Sequence, residues 1–326
     1  MKRVFMLLAV ALMVVAAMAL SGVAQADSPS DICREKAESL TGKNLTGYMF
    51  VVDTADSNTF SPTNGRAEVF CGFDGGDHIS HLNEDDIFIG GPGRDSVDGN
   101  NNGTFYGAAG NDSVGVNTGT FYGGADEDEV EGTFNYGTFN GGEGDDYVQV
   151  NRLGGTFNGG AGEDEVYDNN NGTFYGGDDR DDVHGNNNGT FYGGDDRDTV
   201  DDFNNGTFNG GDGDDQAWYN EDTFYGGKGP DKVLYNGFNH DGTYHGGDGN
   251  DSVDQNRGTF DGGDGNDSVY TNLGGTFYGG LSNDYIDKMF SGVFDGGPGW
   301  DGIGTYFGGH RLDVDYTKSC GLPAKC

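Results

Sequence analysis

Beyond residue 70 the apolar side chains are sparse and evenly spaced. One aliphatic and one aromatic residue alternate along the chain, as in Val97, Phe105, Val114, Phe121, Val130 and Phe139, and this continues to Phe294 and Ile303. Each is flanked by polar residues or glycine, which predicts two short strands per unit, each with one side chain pointing inward. In Thr-Phe-Tyr the Phe faces in and the Thr and Tyr face out. Between the strands lie two kinds of turn. One reads Gly-Gly-x-Gly-x-Asp, rich in residues that tolerate positive φ. The other reads Asn-Asn-Gly, as in Asn187-Asn188-Gly189, and is expected to be a tight left-handed turn. One unit is turn, strand, turn, strand.

Aligned on the Asp that closes the acidic turn, the copies fall at Asp95, Asp112, Asp128, Asp146, Asp164, Asp181, Asp198, Asp215, Asp231, Asp251, Asp267, Asp284 and Asp301. The period is about 17 residues, and periods this short mean a stacked solenoid. Asp77 and Asp86 precede Asp95 at steps of nine, so the unit is a shortened pair of nonapeptides, with Asp77 on the edge of Asp95 and Asp86 on the opposite one. The expected fold is all-β: a right-handed parallel β-roll of about 13 to 14 coils. A Val column and a Phe column form the two walls of a narrow core.

One Val and one Phe per coil make a thin core for 17 ordered residues. Stacking also sets aspartates at the ~4.8 Å strand spacing. Like charges that close repel by about 1 kcal/mol in water and by several at the dielectric of a protein surface. A cation is therefore expected in the row. Carboxylates combined with exposed turn carbonyls form an all-oxygen, hard-ligand site suited to Ca²⁺. In these residues the chain resembles the RTX family of calcium-binding β-roll repeats, with consensus GGxGxDxUx, over residues 71–308. The resemblance implies ions between neighbouring turns, held by backbone carbonyls and by Asp77 and the thirteen aspartates from Asp95 to Asp301. It departs from the family pattern on the second edge, where Asn replaces Asp, and a second calcium row is not expected there. Smaller lapses are Ala108 for the second Gly, and Asp126, Asp179, Asp196 and Ser282 for the third.

The flanks are not repetitive. Lys2 and Arg3, an apolar run from Val4 to Leu20 and the Val23-Ala24-Gln25-Ala26 site read as a cleaved signal peptide at 1–26, hence a secreted, extracellular protein. Residues 27–70 read as an N-terminal cap, with a short helix from Asp31 to Leu40 ending near Gly42. Strands are expected at Tyr48–Asp53 and Ala67–Phe70. Cys33 and Cys71 bracket the cap. In an exported chain a disulfide between them is expected, although four cysteines allow three pairings. The tail, 309–326, loses the repeat, and Cys320 and Cys326 would close a small loop.

A net charge of −38 argues against nucleic acid and anionic membrane surfaces as partners, and for metal ions. Catalysis finds little support. There is no His-Glu-x-x-His helix, His240 and His245 lie across a turn, and no Gly-x-Ser-x-Gly elbow occurs. The remaining exposed feature is a column of Thr104, Thr120, Thr156, Thr173, Thr190, Thr207 and Thr223. Beside it run Tyr106, Tyr122, Asn158, Tyr175, Tyr192, Asn209 and Tyr225. β-propensity accounts for such a face, and an aromatic strip for cell-surface glycans is the functional alternative. The sequence thus reads as a secreted, non-catalytic protein that folds on binding extracellular Ca²⁺. The alternatives are an adhesin and, further off, an ice-binding protein or a polysaccharide-acting enzyme.

Overall fold

The computed structural model describes residues 28–52, 56–63, 65–132, 134–239 and 241–320, the side chains of 317–320 excepted. The expected signal peptide and the Cys320–Cys326 loop lie outside this description.

Helix α1, Pro29–Thr41, opens the described chain. Ser28 caps it by accepting from the Asp31 N–H, Asp31 reciprocates, Pro29 occupies the first turn, and Gly42 closes it at φ 65°. Its buried face carries Cys33 and Ala37. These pack with Leu45, Val69, Cys71, Ile87 and Ile89 on the outside of the first coils. The Cys33–Cys71 disulfide, with Cα atoms 6.0 Å apart, fixes the helix there.

All strand pairing is parallel. Strands β1 (Met49–Val52) and β2 (Thr59–Phe60) pair in register with β3 (Glu68–Cys71) and β4 (His78–Ile79), one coil on. The stack therefore begins inside the stretch expected to be only a cap, and it holds about 15 turns at ~17-residue spacing. Alignment on the acidic turn misses the first coil because that coil has no such turn. From there each strand pairs with its counterpart one coil on, Phe with Phe and Val with Val, as in Phe174↔Phe191 and Val183↔Val200. Differences in coil length are absorbed on the Asn side, around Leu153 and Phe238, and leave the walls in register.

The core is two columns thick. From Phe88 to Phe294 successive aromatic rings lie 4.6 to 5.1 Å apart and within 9° of parallel. The opposing column runs Ile79, Val97, Val114 and onward to Ile303, all buried. At the N-terminal end the ring of Phe60 tilts against Phe70 and Phe88 and closes the core.

The two turns use glycine differently. In the acidic turn the second position has positive φ, and so does the fourth in most coils, as at Gly91 (122°) and Gly93 (144°); Gly213, Gly249 and Gly299 are the exceptions. Every substituted position keeps that conformation: Ala108, Asp126, Asp179, Asp196 and Ser282 all have φ between 68° and 101°. The Asn-Gly turn is not left-handed as expected, since Gly103, Gly172, Gly189 and Gly206 do not take positive φ. They are needed for close approach. A Cβ on Gly189 or Gly206 would overlap the carbonyl oxygen of Gly172 or Gly189 in the preceding coil.

Ala108, at φ 101°, is the most strained of the substituted positions. Ala108→Gly is expected to stabilise the roll by about 1 kcal/mol. Paired thermal melts check this, and a lower midpoint for the glycine variant would contradict it.

Candidate metal-binding site

The aspartates that close the acidic turns form one file along one edge. Asp77 and the thirteen from Asp95 to Asp301 are all buried, with exposure of 0 to 1%. Each carboxylate spans to the preceding coil. The N–H of Asp77 donates to Oδ1 of Asp95, that of Asp95 to Asp112, and so on to Asp284 and Asp301, at 2.7 to 2.9 Å. The file has two ends that the repeat pattern does not mark. The Asn58 N–H donates to Asp77 Oδ1, and the Asp301 N–H donates to Asp315 Oδ2 in the degenerate last turn.

The first glycine of each turn exists for this side chain. A Cβ on Gly226 would overlap Asp231 Oδ2, and it would also crowd the carbonyl oxygen of Gly246 one coil further on, 2.6 Å away. The same pair of oxygens converges at Gly246, from Asp251 and Gly262, and at Gly279, from Asp284 and Gly296. Oδ1 is committed to its hydrogen bond. From Asp95 to Asp301, Oδ2 is buried with no hydrogen-bond partner. A buried, unpaired carboxylate oxygen is costly and calls for a proton or a cation.

The electrostatics agree. Burial, opposed by the backbone hydrogen bond and reinforced at most positions by neighbouring aspartates, raises the carboxyl pKa values. They reach about 7 at Asp95, about 8 at Asp112 and about 9 at Asp128 and Asp181. At Asp251 and Asp284 they reach about 6. Nearby cations, Lys36 for Asp95, Arg94 for Asp112 and Arg197 for Asp215, only partly offset this.

The donor set suits a hard cation: one anionic oxygen per coil, unpartnered, facing a glycine carbonyl of the next coil. Among the described residues, no three His, Cys, Asp or Glu side chains form a metal cluster. Backbone carbonyls must then supply most of any ion's ligands. Those of the fourth-position glycines Gly93, Gly110, Gly229 and Gly249 accept no hydrogen bond from another coil's backbone.

The opposite edge is self-sufficient. Asp86 has both carboxylate oxygens occupied, accepting from the N–H groups of Glu68 and Asn83. Beyond it a second buried file runs through Asn101, Asn117, Asn135, Asn151, Asn170, Asn187, Asn204, Asn220, Asn236, Asn256 and Asn272. Nδ2 of each of the first ten donates to Oδ1 of the next, as from Asn170 to Asn187 and from Asn187 to Asn204 at 2.8 Å. It also donates to a threonine carbonyl of the next coil, as from Asn187 to Thr207 at 3.0 Å. Sequence reasoning saw Asn-rich turns and missed this ladder. A signal was present, because in most coils an Asn stands four residues before the inward Phe.

Two outcomes are expected. The row's carboxyls have folded-state pKa values raised above 3.8, so in ion-free protein their contribution is fully present below about pH 4. It is lost as pH rises through the folded values, about 6 to 9. Ion-free protein should show more β signal and a more cooperative melt at pH 4.5 than at pH 8.5; the reverse order would contradict the buried row. Asn187→Ala orphans Asn204 Oδ1 and the Thr207 carbonyl and should destabilise the roll by about 2 to 4 kcal/mol. Denaturant titration measures this, and a loss below about 0.5 kcal/mol would remove the ladder's role.

No protein-family model, no curated protein and no solved structure matches this chain.

Proposed function

We propose that this chain is a secreted, non-catalytic calcium-binding repeat protein of the RTX type, whose coils lock together when Ca²⁺ enters the aspartate row. The observation that carries the reading is the file of buried carboxylates, each from Asp95 to Asp301 with one oxygen lacking a partner. Oδ2 of Asp77 and of the aspartates from Asp95 to Asp301, together with glycine carbonyls of the acidic turns, would hold the ions. Bound Ca²⁺ supplies the positive charge the row lacks. The protein's part is to align the oxygens, through the inter-coil hydrogen bonds, and to exclude water from them. Export is supported by the leader-like residues 1–26 and by the Cys33–Cys71 disulfide, a bond that persists in oxidising compartments.

The row is single. Fourteen aspartates leave thirteen gaps, so about thirteen ions is the ceiling, with six to eight oxygens each. The amide ladder on the other edge carries no charge and spends its donors on itself. A metal count on protein dialysed against calcium should approach but not pass that ceiling. A count near zero would remove the function, and one near twice the ceiling would place ions on the Asn edge as well. Asp198→Asn should loosen more coils than Asp284→Asn, because a central fault uncouples two halves and a terminal one frays. Hydrogen exchange reads this, and equal, local loss in both variants would contradict it.

A further inference from the structure

The outward column of tyrosines does not offer ring faces along its length. Tyr106 and Tyr122 stack on each other at 4.8 Å, Tyr175 and Tyr192 at 4.9 Å, and Tyr225 and His245 at 5.0 Å, all within 8° of parallel. Within each pair the facing surfaces are closed. Ring faces are open where the column is interrupted: once by Asp261, between His245 and Tyr278, and twice by asparagine, and the two asparagine interruptions differ. Between Tyr122 and Tyr175 stand Asn140 and Asn158, and these satisfy each other, Asn158 Nδ2 donating to Asn140 Oδ1 at 2.8 Å. Between Tyr192 and Tyr225 stands Asn209 alone.

That second gap is two strand spacings wide, about 9.6 Å from ring to ring. A ring inserted midway would lie about 4.8 Å from each tyrosine, the spacing at which this protein's own outward rings stack. The walls are pre-set, since Tyr192 is backed by Tyr175 and Tyr225 by His245. Both remain 42 to 45% exposed. At the floor, the Asn209 side-chain amide makes no hydrogen bond among the described residues. The strands beside it present Thr190, Thr207 and Thr223 outward, in register. No charged side chain belongs to the walls or the floor, in a chain whose net charge is −38.

We infer that the slot formed by Tyr192, Asn209 and Tyr225 is a binding subsite for one neutral pyranose ring of a glycan. A pyranose has two C–H faces to lie against the two tyrosines, and equatorial hydroxyls at its rim to meet the Asn209 amide and a threonine hydroxyl. A flat arene would fit between the walls as the protein's own rings do, but it would leave the Asn209 amide unpaired. An anionic sugar would meet the repulsion of the whole chain. The inference goes beyond calcium binding and depends only on the register of the Phe-bearing sheet.

The test is saturation-transfer NMR on the full folded protein in calcium buffer. The probes are methyl β-D-glucopyranoside, methyl β-D-galactopyranoside and methyl N-acetyl-β-D-glucosaminide, with glucuronate and p-cresol as comparators. Transfer to the C–H protons of at least one neutral sugar is expected. It should fall at least tenfold in Asn209→Tyr, which fills the slot with the residue most common in that column and so should keep or raise the melting temperature. Tyr225→Ala, which removes one wall, gives the same readout should that variant fold poorly. Absence of transfer to any neutral sugar would overturn the proposal. Equal transfer in Asn209→Tyr, or Asn209-dependent binding of p-cresol in place of sugar, would do the same.

Discussion

The structure depends on a carboxylate that has been taken out of water. In coil after coil an aspartate turns inward, gives one oxygen to the preceding coil's N–H and is left with the other. The consequences reach through the repeat. The first glycine of the turn must lack a Cβ because the carboxylate lies where it would be, and the second position takes positive φ to bring the chain round it. The walls of Val and Phe stack at the strand spacing that also sets the carboxylates. A core one aliphatic and one aromatic side chain wide cannot outweigh a file of unneutralised charges. The charge balance of the row therefore governs whether the roll forms.

The two edges solve the same geometric problem with different chemistry. Both need a side chain that reaches one coil away. An amide has donors and acceptors of its own, so the Asn file closes on itself, each group after Asn101 Oδ1 satisfied by its neighbours. A carboxylate only accepts, so the Asp file is left with an oxygen over. The asymmetry makes one edge a structural spine and the other a site for an external cation or proton. The shorter 17-residue unit fits this division, because the amide edge closes by its own hydrogen bonds.

Much of this was legible in the sequence, since a repeat states its inward positions many times over. Val97 and Phe105, and their counterparts in every later coil, occupy the predicted walls, and Cys33 and Cys71 are joined as expected. What was not legible involved contacts between coils. The burial of the carboxylates could not be read, because composition cannot tell a solvated Asp from one folded back onto a glycine. The Asn ladder was read as turn chemistry because Asn and Gly are also the commonest turn residues. The first coil, Met49–Phe60, escaped alignment because it has the walls without the acidic turn.

The most direct measurement is a far-UV circular dichroism titration of chelated protein with Ca²⁺ at pH 8. At that pH protons no longer neutralise most of the row, and the chain should show little β signal and no cooperative melt. Calcium should then restore both, as metal binding becomes folding free energy. A chelated chain that keeps a full β spectrum and a cooperative melt at pH 8 would contradict the account.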